Sequence, residues 1–387
     1  MNSSDAIPRR EFLKAGVAAA GLGLGLGTGE AQDPATSKEA VDLLLEKYRR
    51  HQRTGLYTGT SGGGNHIPMT LIAAHRMGAS ADQINRYGAR FKLHADAKPM
   101  DESGKRKPTR ETWKDDLGRA GYFQFVDCFD DWSKEASIDA VLKATLPELA
   151  KGLGGAFSHD LLRLAYGIDY GSREEIVFAL AGCASGWRPS PGAGDRGPAV
   201  EPDALLSEIL KNTADLKIEP NGGRMGPIAF RMDQVYSSAA FLKSLKPVRT
   251  PESDPTAKVS ELIMEWFTQT HDFTLLHAFT TCQALRRVLP YAGDPRPAIS
   301  AFWHSACVMY LTVMKVRPDI GKDGVTGGPR EWKEIFEKAP AADMTWLSPY
   351  EHTIKLAYSC WQESKHFKRD RYLALASREI EKPSRFV

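Results

Sequence analysis

The chain has 387 residues, a formal net charge of +3, an isoelectric point near 8.4 and 42% hydrophobic residues. That is enough apolar material for a sizeable core in one large domain or two ordinary ones. The near balance of charge, with no basic run longer than Lys105-Arg106-Lys107, gives no electrostatic case for nucleic acid. The five cysteines contain no C-x-x-C pair, which excludes zinc-ribbon and thioredoxin-type spacings. Cys128, Cys183, Cys282, Cys307 and Cys360 read as buried small hydrophobes.

The first element is a leader. Arg9-Arg10-Glu11-Phe12-Leu13-Lys14 precedes a stretch, 15–27, rich in Ala, Gly and Leu, and Gly29-Glu30-Ala31 offers a small-x-small cleavage site. Basic, mildly apolar and small, in that order, predicts a signal peptide over residues 1–31. Its apolar run is too short for a bilayer anchor. The segment resembles a twin-arginine leader, with Pro8 where Ser or Thr is commoner. That resemblance implies the twin-arginine translocase as a partner during export and a periplasmic or otherwise extracytoplasmic address. Such substrates usually cross the membrane folded, which suits a protein that loads a cofactor inside the cell. The alternating glycines over 21–27 mimic a dinucleotide fingerprint, but no strand precedes them and no βαβ unit follows.

From Ser37 onward the apolar period is close to 3.6. Ser37 is the expected cap of a first helix whose buried face carries Ala40, Leu43, Leu44 and Tyr48. Ser80 with Gln83, and Ser172 with Glu175, have the spacing of capping boxes. Further amphipathic stretches cover 121–134, with Phe123, Val126 and Asp130, then 138–149, 204–216, 260–289, 298–316 and 350–366. Alternating β-branched runs are almost absent. The expected fold is all-α, one multi-helical domain over residues 37–387. Polar, Pro-rich or Gly-rich loops are expected at 96–110, 187–202, 246–256 and 320–329.

A short pattern occurs twice. Gly62-Gly63-Gly64 leads into Asn65-His66, and Gly154-Gly155 leads into Ser158-His159. Asn or Ser after glycine marks a helix start, so each imidazole is expected in a first turn. There the positive end of the macrodipole disfavours imidazolium, and neutral imidazole is the form that binds metal. Of the ten histidines, His51, His94 and His366 read as surface residues and His75 as a core or interface residue. His304, in Phe302-Trp303-His304, is a candidate pocket residue. His271 and His277, six apart, point to different faces of one helix. His277 alone reads as a core histidine bonded to a carbonyl, or as a ligand. In Ser348-Pro349-Tyr350-Glu351-His352, Ser is the N-cap, Pro stands at N1 and Glu351 at N3 is expected to serve the cap. His352 and Lys355 share a face, as a solvated pair or as part of a site.

Together these segments resemble the questin oxidase-like family over most of the chain after the leader. The resemblance is carried by Asn65-His66-Ile67-Pro68-Met69 with 71–78, by Ser158-His159-Asp160-Leu161-Leu162-Arg163 within 155–167 with 174–181, by 272–280 and by 350–358. It implies an all-helical oxygenase acting on a polycyclic aromatic ketone or quinone with O2. The expected chemistry is oxidative ring cleavage or Baeyer–Villiger-type oxidation. It also implies non-haem Fe(II) held by His66, His159, His277 and His352, with Lys355 as a carboxylated lysine. NADPH is the external reductant to consider.

Four neutral imidazoles leave the charge of a ferrous ion unbalanced. An amine held partly neutral beside a cation in an apolar pocket can add carbon dioxide, and the carbamate supplies the anion. Phe302, Trp303 and Tyr166 are expected to line a flat pocket for the aromatic substrate. Two other functions fit the same sequence. One is a metal-free NADPH-dependent oxidoreductase. The other is an exported binding protein on the same scaffold, in which the histidines would be scattered.

Overall fold

The computed structural model describes residues 36–49, 66–91, 106–152, 158–190, 197–219, 227–316, 330–341 and 349–384. The expected leader, the Asn65 cap, both glycine stretches before the histidines, Ser348, His51 and His94 lie outside the described residues. Among the described residues, sixteen α-helices follow one another. They are α1 (Ser37–Tyr48), α2 (His66–Arg76), α3 (Ala81–Phe91), α4 (Tyr122–Glu135), α5 (Ile138–Leu149), α6 (His159–Tyr170), α7 (Arg173–Ser185) and α8 (Pro202–Asn212). Then come α9 (Pro227–Tyr236), α10 (Ala239–Ser244), α11 (Ala257–Thr270), α12 (Phe273–Val288), α13 (Pro295–Val316), α14 (Trp332–Ala341), α15 (Pro349–Phe367) and α16 (Arg371–Glu381). Among the described residues there is no strand, only an isolated bridge between Val200 and Val248. The all-α expectation holds, and the helices belong to one unit, Ala35–Val387.

Local signals explain most helix ends. The α1 cap is Thr36, one residue before the expected Ser37, and Glu39 completes its capping box. The buried face of α1 is Ala40, Val41, Leu45 and Tyr48, while Leu43 is exposed. Period alone did not choose among three adjacent leucines. Ser80 and Gln83 form the expected reciprocal box, at 2.8 and 3.2 Å. Ser172 accepts from the Glu175 amide at 3.2 Å, but the Glu175 side chain turns inward instead of closing the box.

The expected single helix over 260–289 is two helices. His271 adopts φ 46°, a left-handed conformation, and its N–H bonds the Phe267 carbonyl at 2.7 Å to end α11. Asp272 then caps α12, accepting from the Thr274 amide at 2.7 Å. His277 therefore lies near the start of a helix and not in the middle of one. The break costs little because both ends are satisfied.

The core is continuous. α13 is long and apolar enough to cross a membrane by composition, yet most of it is buried inside the protein, so it is a core helix here. Trp303 on α13 packs against Trp266 of α11 and donates to the Pro202 carbonyl at 3.1 Å. Cys282, Cys307 and Cys360 are buried thiols, and all five cysteines are free.

The arrangement that positions the site is a ring of four helices. α2 packs on α6, α6 on α12, α12 on α15 and α15 back on α2. α6 also packs closely on α7, where Gly182 admits the Asp160 carboxylate. A Cβ at Gly182 would sit 2.2 Å from Asp160 Oδ1. Gly182→Ala is expected to destabilise by about 1–3 kcal/mol through overpacking, outweighing a helix-propensity gain of about 1 kcal/mol. Urea unfolding checks this, and a variant as stable as wild type would place the carboxylate elsewhere.

Candidate metal centre

Each helix of the ring contributes a histidine from its first or second turn. His66 and His159 are the first residues of α2 and α6, His352 lies in the first turn of α15, and His277 lies in the second turn of α12. The α6 start differs from expectation. Ser158 has φ 59° and makes no side-chain cap bond, so its role there is conformational.

One ligand-capable atom from each of His66, His159 and His352 lies within 4.8 Å of the other two. His66 stacks on His159, with ring centroids 4.8 Å apart and planes at 20°, and meets His352 edge-on at 4.9 Å. His277 joins them. Its Nε2 lies 3.2 Å from His352 Nε2, and its ring is 5.4 Å from His159. Two nitrogens about 2.1 Å from one ion can be at most about 4.2 Å apart. The 3.2 Å pair suits neighbouring positions on an ion, and a pair near 4.8 Å would have to close by a few tenths of an ångström.

Hydrogen bonds behind the rings fix their orientation. His277 Nδ1 lies 2.8 Å from the Phe273 carbonyl, which can only accept, so Nδ1 carries the proton. Burial, with the charge of Lys355 second, pushes the His277 pKa down to about 4 despite the Phe273 bond. The ring is neutral at pH 7 and its Nε2 holds the lone pair. His352 Nε2 is therefore the donor in the 3.2 Å contact. Phe273 closes this side, edge-on to His277 at 4.9 Å and tilted over His352 at 4.5 Å.

His66 Nδ1 meets a different partner, Glu351 Oε2 at 2.7 Å. Glu351 was expected to serve the α15 cap. The cap itself involves Ser348, which lies outside the described residues; Oε2 of the carboxylate reaches across to α2, linking residues far apart in sequence. Lys355, one turn beyond His352, is buried at 1% exposure, and His352 at 2%. The solvated-pair alternative for these two is overturned.

Other candidates are not brought to this cluster. His304 is bonded to the Lys246 carbonyl at 2.9 Å and to Ser190 at 3.4 Å. His75 holds Ser37 at 2.9 Å and packs on Tyr170, as an interface residue should. His271 Nδ1 lies 3.4 Å from Glu379, and the exposed His366 pairs with Asp254 at 2.7 Å. Phe302 and Trp303 are buried in the core, where Trp303 is held by its bond to the Pro202 carbonyl. Tyr166 is buried beneath the site, donating to the Lys355 carbonyl at 3.3 Å. Asp160, next to His159, faces α7, and burial raises its pKa to about 6 against the pull of Arg163.

A family model described as questin oxidase-like matches residues 64–360, which take in α2, α6 and α12 whole and α15 as far as Cys360, and so all four cluster histidines. The chain belongs to the questin oxidase-like family. Membership supports an oxidoreductase-type activity. No curated protein matches the chain. Sequence reasoning missed two residues of the site. Glu351 was assigned to a cap, and Phe273, although part of the segment 272–280, was given no role. Asp272 as a helix cap was the available signal for Phe273.

Proposed function

We propose that this chain is an oxidoreductase that holds non-haem iron with His66, His159, His277 and His352, and with Lys355 as a carbamate. Its substrate is a polycyclic aromatic ketone or quinone, and its reaction is oxidative ring cleavage or Baeyer–Villiger-type oxidation with O2. The single observation that carries this reading is the convergence of imidazoles from four separate helices at one buried point. A binding protein on the same scaffold has no need of that convergence, so it is the weaker alternative. A metal-free NADPH enzyme needs a cradle for the dinucleotide, and no strand–turn–helix unit exists among the described residues. NADPH enters this proposal only as an external reductant.

The donor set fits iron. Imidazole nitrogens with an anionic oxygen donor suit iron, zinc, manganese or copper, and redox chemistry on an aromatic ketone selects iron. When bound, ferrous iron supplies a position for dioxygen and electrons for its reduction. The protein supplies the rest. Phe273 presents its ring beside His277 and His352, giving an apolar wall against which an aromatic substrate can stack. Burial of the cluster excludes bulk water and strengthens each electrostatic interaction there. For His352 to ligate through Nε2, the proton on that nitrogen must move to Nδ1, so metal binding selects one tautomer of the ring.

Export by the twin-arginine route, with the iron loaded before translocation, is the matching proposal for residues 1–31. The deciding experiment is metal analysis of protein purified without added metal, alongside oxygen uptake with hydroxylated anthraquinones. Stoichiometric iron with substrate-dependent uptake is expected. Turnover by rigorously metal-free protein would sink the iron centre.

A further inference from the structure

We infer that Glu351 is a positioning residue of the histidine cluster, holding His66 by Nδ1 and adding a second negative charge to that of the Lys355 carbamate proposed above. The inference rests on the metal reading above and adds a residue to it.

The geometry is that of a carboxylate–histidine pair. Glu351 Oε2 lies 2.7 Å from His66 Nδ1, and the two side chains are 12% and 5% exposed. With Nδ1 donating to the carboxylate, Nε2 is the nitrogen that can face an ion, and the ring is fixed in that tautomer. His277 is held differently, by the neutral Phe273 carbonyl. A carboxylate partner raises the basicity of its imidazole more than a carbonyl does, so His66 is a stronger nitrogen donor than His277.

Charge gives the second argument. All four histidines enter from helix starts, so four positive dipole ends face the cluster. They disfavour a cation as well as imidazolium. An anion at the same place offsets them, and Glu351, in the first turn of α15, is an acidic residue whose carboxylate reaches a ring of the cluster, whereas Asp272 is committed to the α12 cap. The other carboxylate adjacent in sequence to a cluster histidine is Asp160, and it packs onto Gly182 of α7 instead. The bond between Glu351 and His66 also spans the ring from α15 to α2, two helices that pack along their length independently of it.

The test is cobalt(II) titration of chelator-treated protein, followed by its visible d–d absorption, for wild type, Glu351→Gln and Glu351→Ala. Glu351→Gln keeps the shape and an acceptor oxygen but removes the charge. It is expected to weaken cobalt binding roughly 10- to 100-fold and to change the d–d band. Glu351→Ala should bind at least as weakly. The metal-free variants should keep the wild-type circular dichroism and thermal midpoint. Wild-type affinity and an unchanged band in Glu351→Gln would overturn the inference while leaving the metal centre in place. So would an affinity loss matched by a fall in the metal-free midpoint. A wild-type protein that binds no cobalt would overturn both.

Discussion

His277→Ala is expected to abolish iron binding and substrate-dependent oxygen uptake while leaving the helical circular dichroism largely intact. His277 brings one nitrogen to the cluster with its tautomer already set by the 2.8 Å bond to Phe273, and its low pKa of about 4 keeps it neutral across the physiological range. Removing it deletes a donor and also leaves His352 Nε2 without its 3.2 Å acceptor. Loss of even an outer partner of a ligand typically weakens metal binding 10- to 100-fold, so loss of the ligand itself should exceed about 100-fold. The structural effect is smaller. The side chain is buried, but α12 is held along its length by other core residues such as Leu275, Phe279, Cys282 and Leu285. A stability loss of about 1–3 kcal/mol is expected. Metal content by elemental analysis, set beside the circular dichroism spectrum, separates the two effects. Full iron retention would remove His277 from the centre.

The fold class was legible because period and caps agree along most of the chain. 138–149 was read to the residue, and 298–316 and 350–366 to within three residues at each end. Errors cluster where a polar side chain has two possible partners. Three helices carry Glu or Gln at the third helical position after Ser. Gln83 closes its capping box, Glu175 turns to Arg163, and Glu351 reaches His66 with Oε2, its cap residue Ser348 lying outside the described residues. The local motif is the same in all three, and the difference lies in which buried cation or imidazole a neighbouring helix brings within reach. The same limit governs the site. His66 and His159 stand out because the glycines before them mark helix starts. His277 is masked because the apolar period continues across the break at His271 and Asp272, and His352 with Lys355 looks solvated because only packing of α15 against α2 and α12 buries them. Convergence of the four is a property of helix order around the ring, which no spacing within a segment can reveal.

Glu175→Ala should cost about 3–5 kcal/mol, as expected when one partner of a buried ion pair is removed. Glu175 is fully buried, and Arg163 is 3% exposed. Arg163 donates to Glu175 Oε2 from Nε at 2.9 Å and from Nη2 at 2.6 Å, and from Nη1 to the Tyr122 hydroxyl at 3.1 Å. Arg49 reaches Oε1 of the same carboxylate at 2.9 Å. Without Glu175 the Arg163 guanidinium cannot deprotonate and has no route to water, so its charge stays buried with only Tyr122 and the more distant Asp160 to oppose it. The double variant Arg163→Met with Glu175→Leu should recover most of that loss, because packed apolar groups of similar volume avoid the desolvation penalty altogether. Arg49, one-fifth exposed, can turn to solvent in either variant. Urea unfolding at pH 7 measures the series. A single variant within about 1 kcal/mol of wild type would show that the pair is solvated. α6 carries both Arg163 and His159, so the same change should loosen the helix that presents one of the cluster histidines. Weaker cobalt binding in Glu175→Ala, restored in the double variant, would tie the buried ion pair to the geometry of the centre.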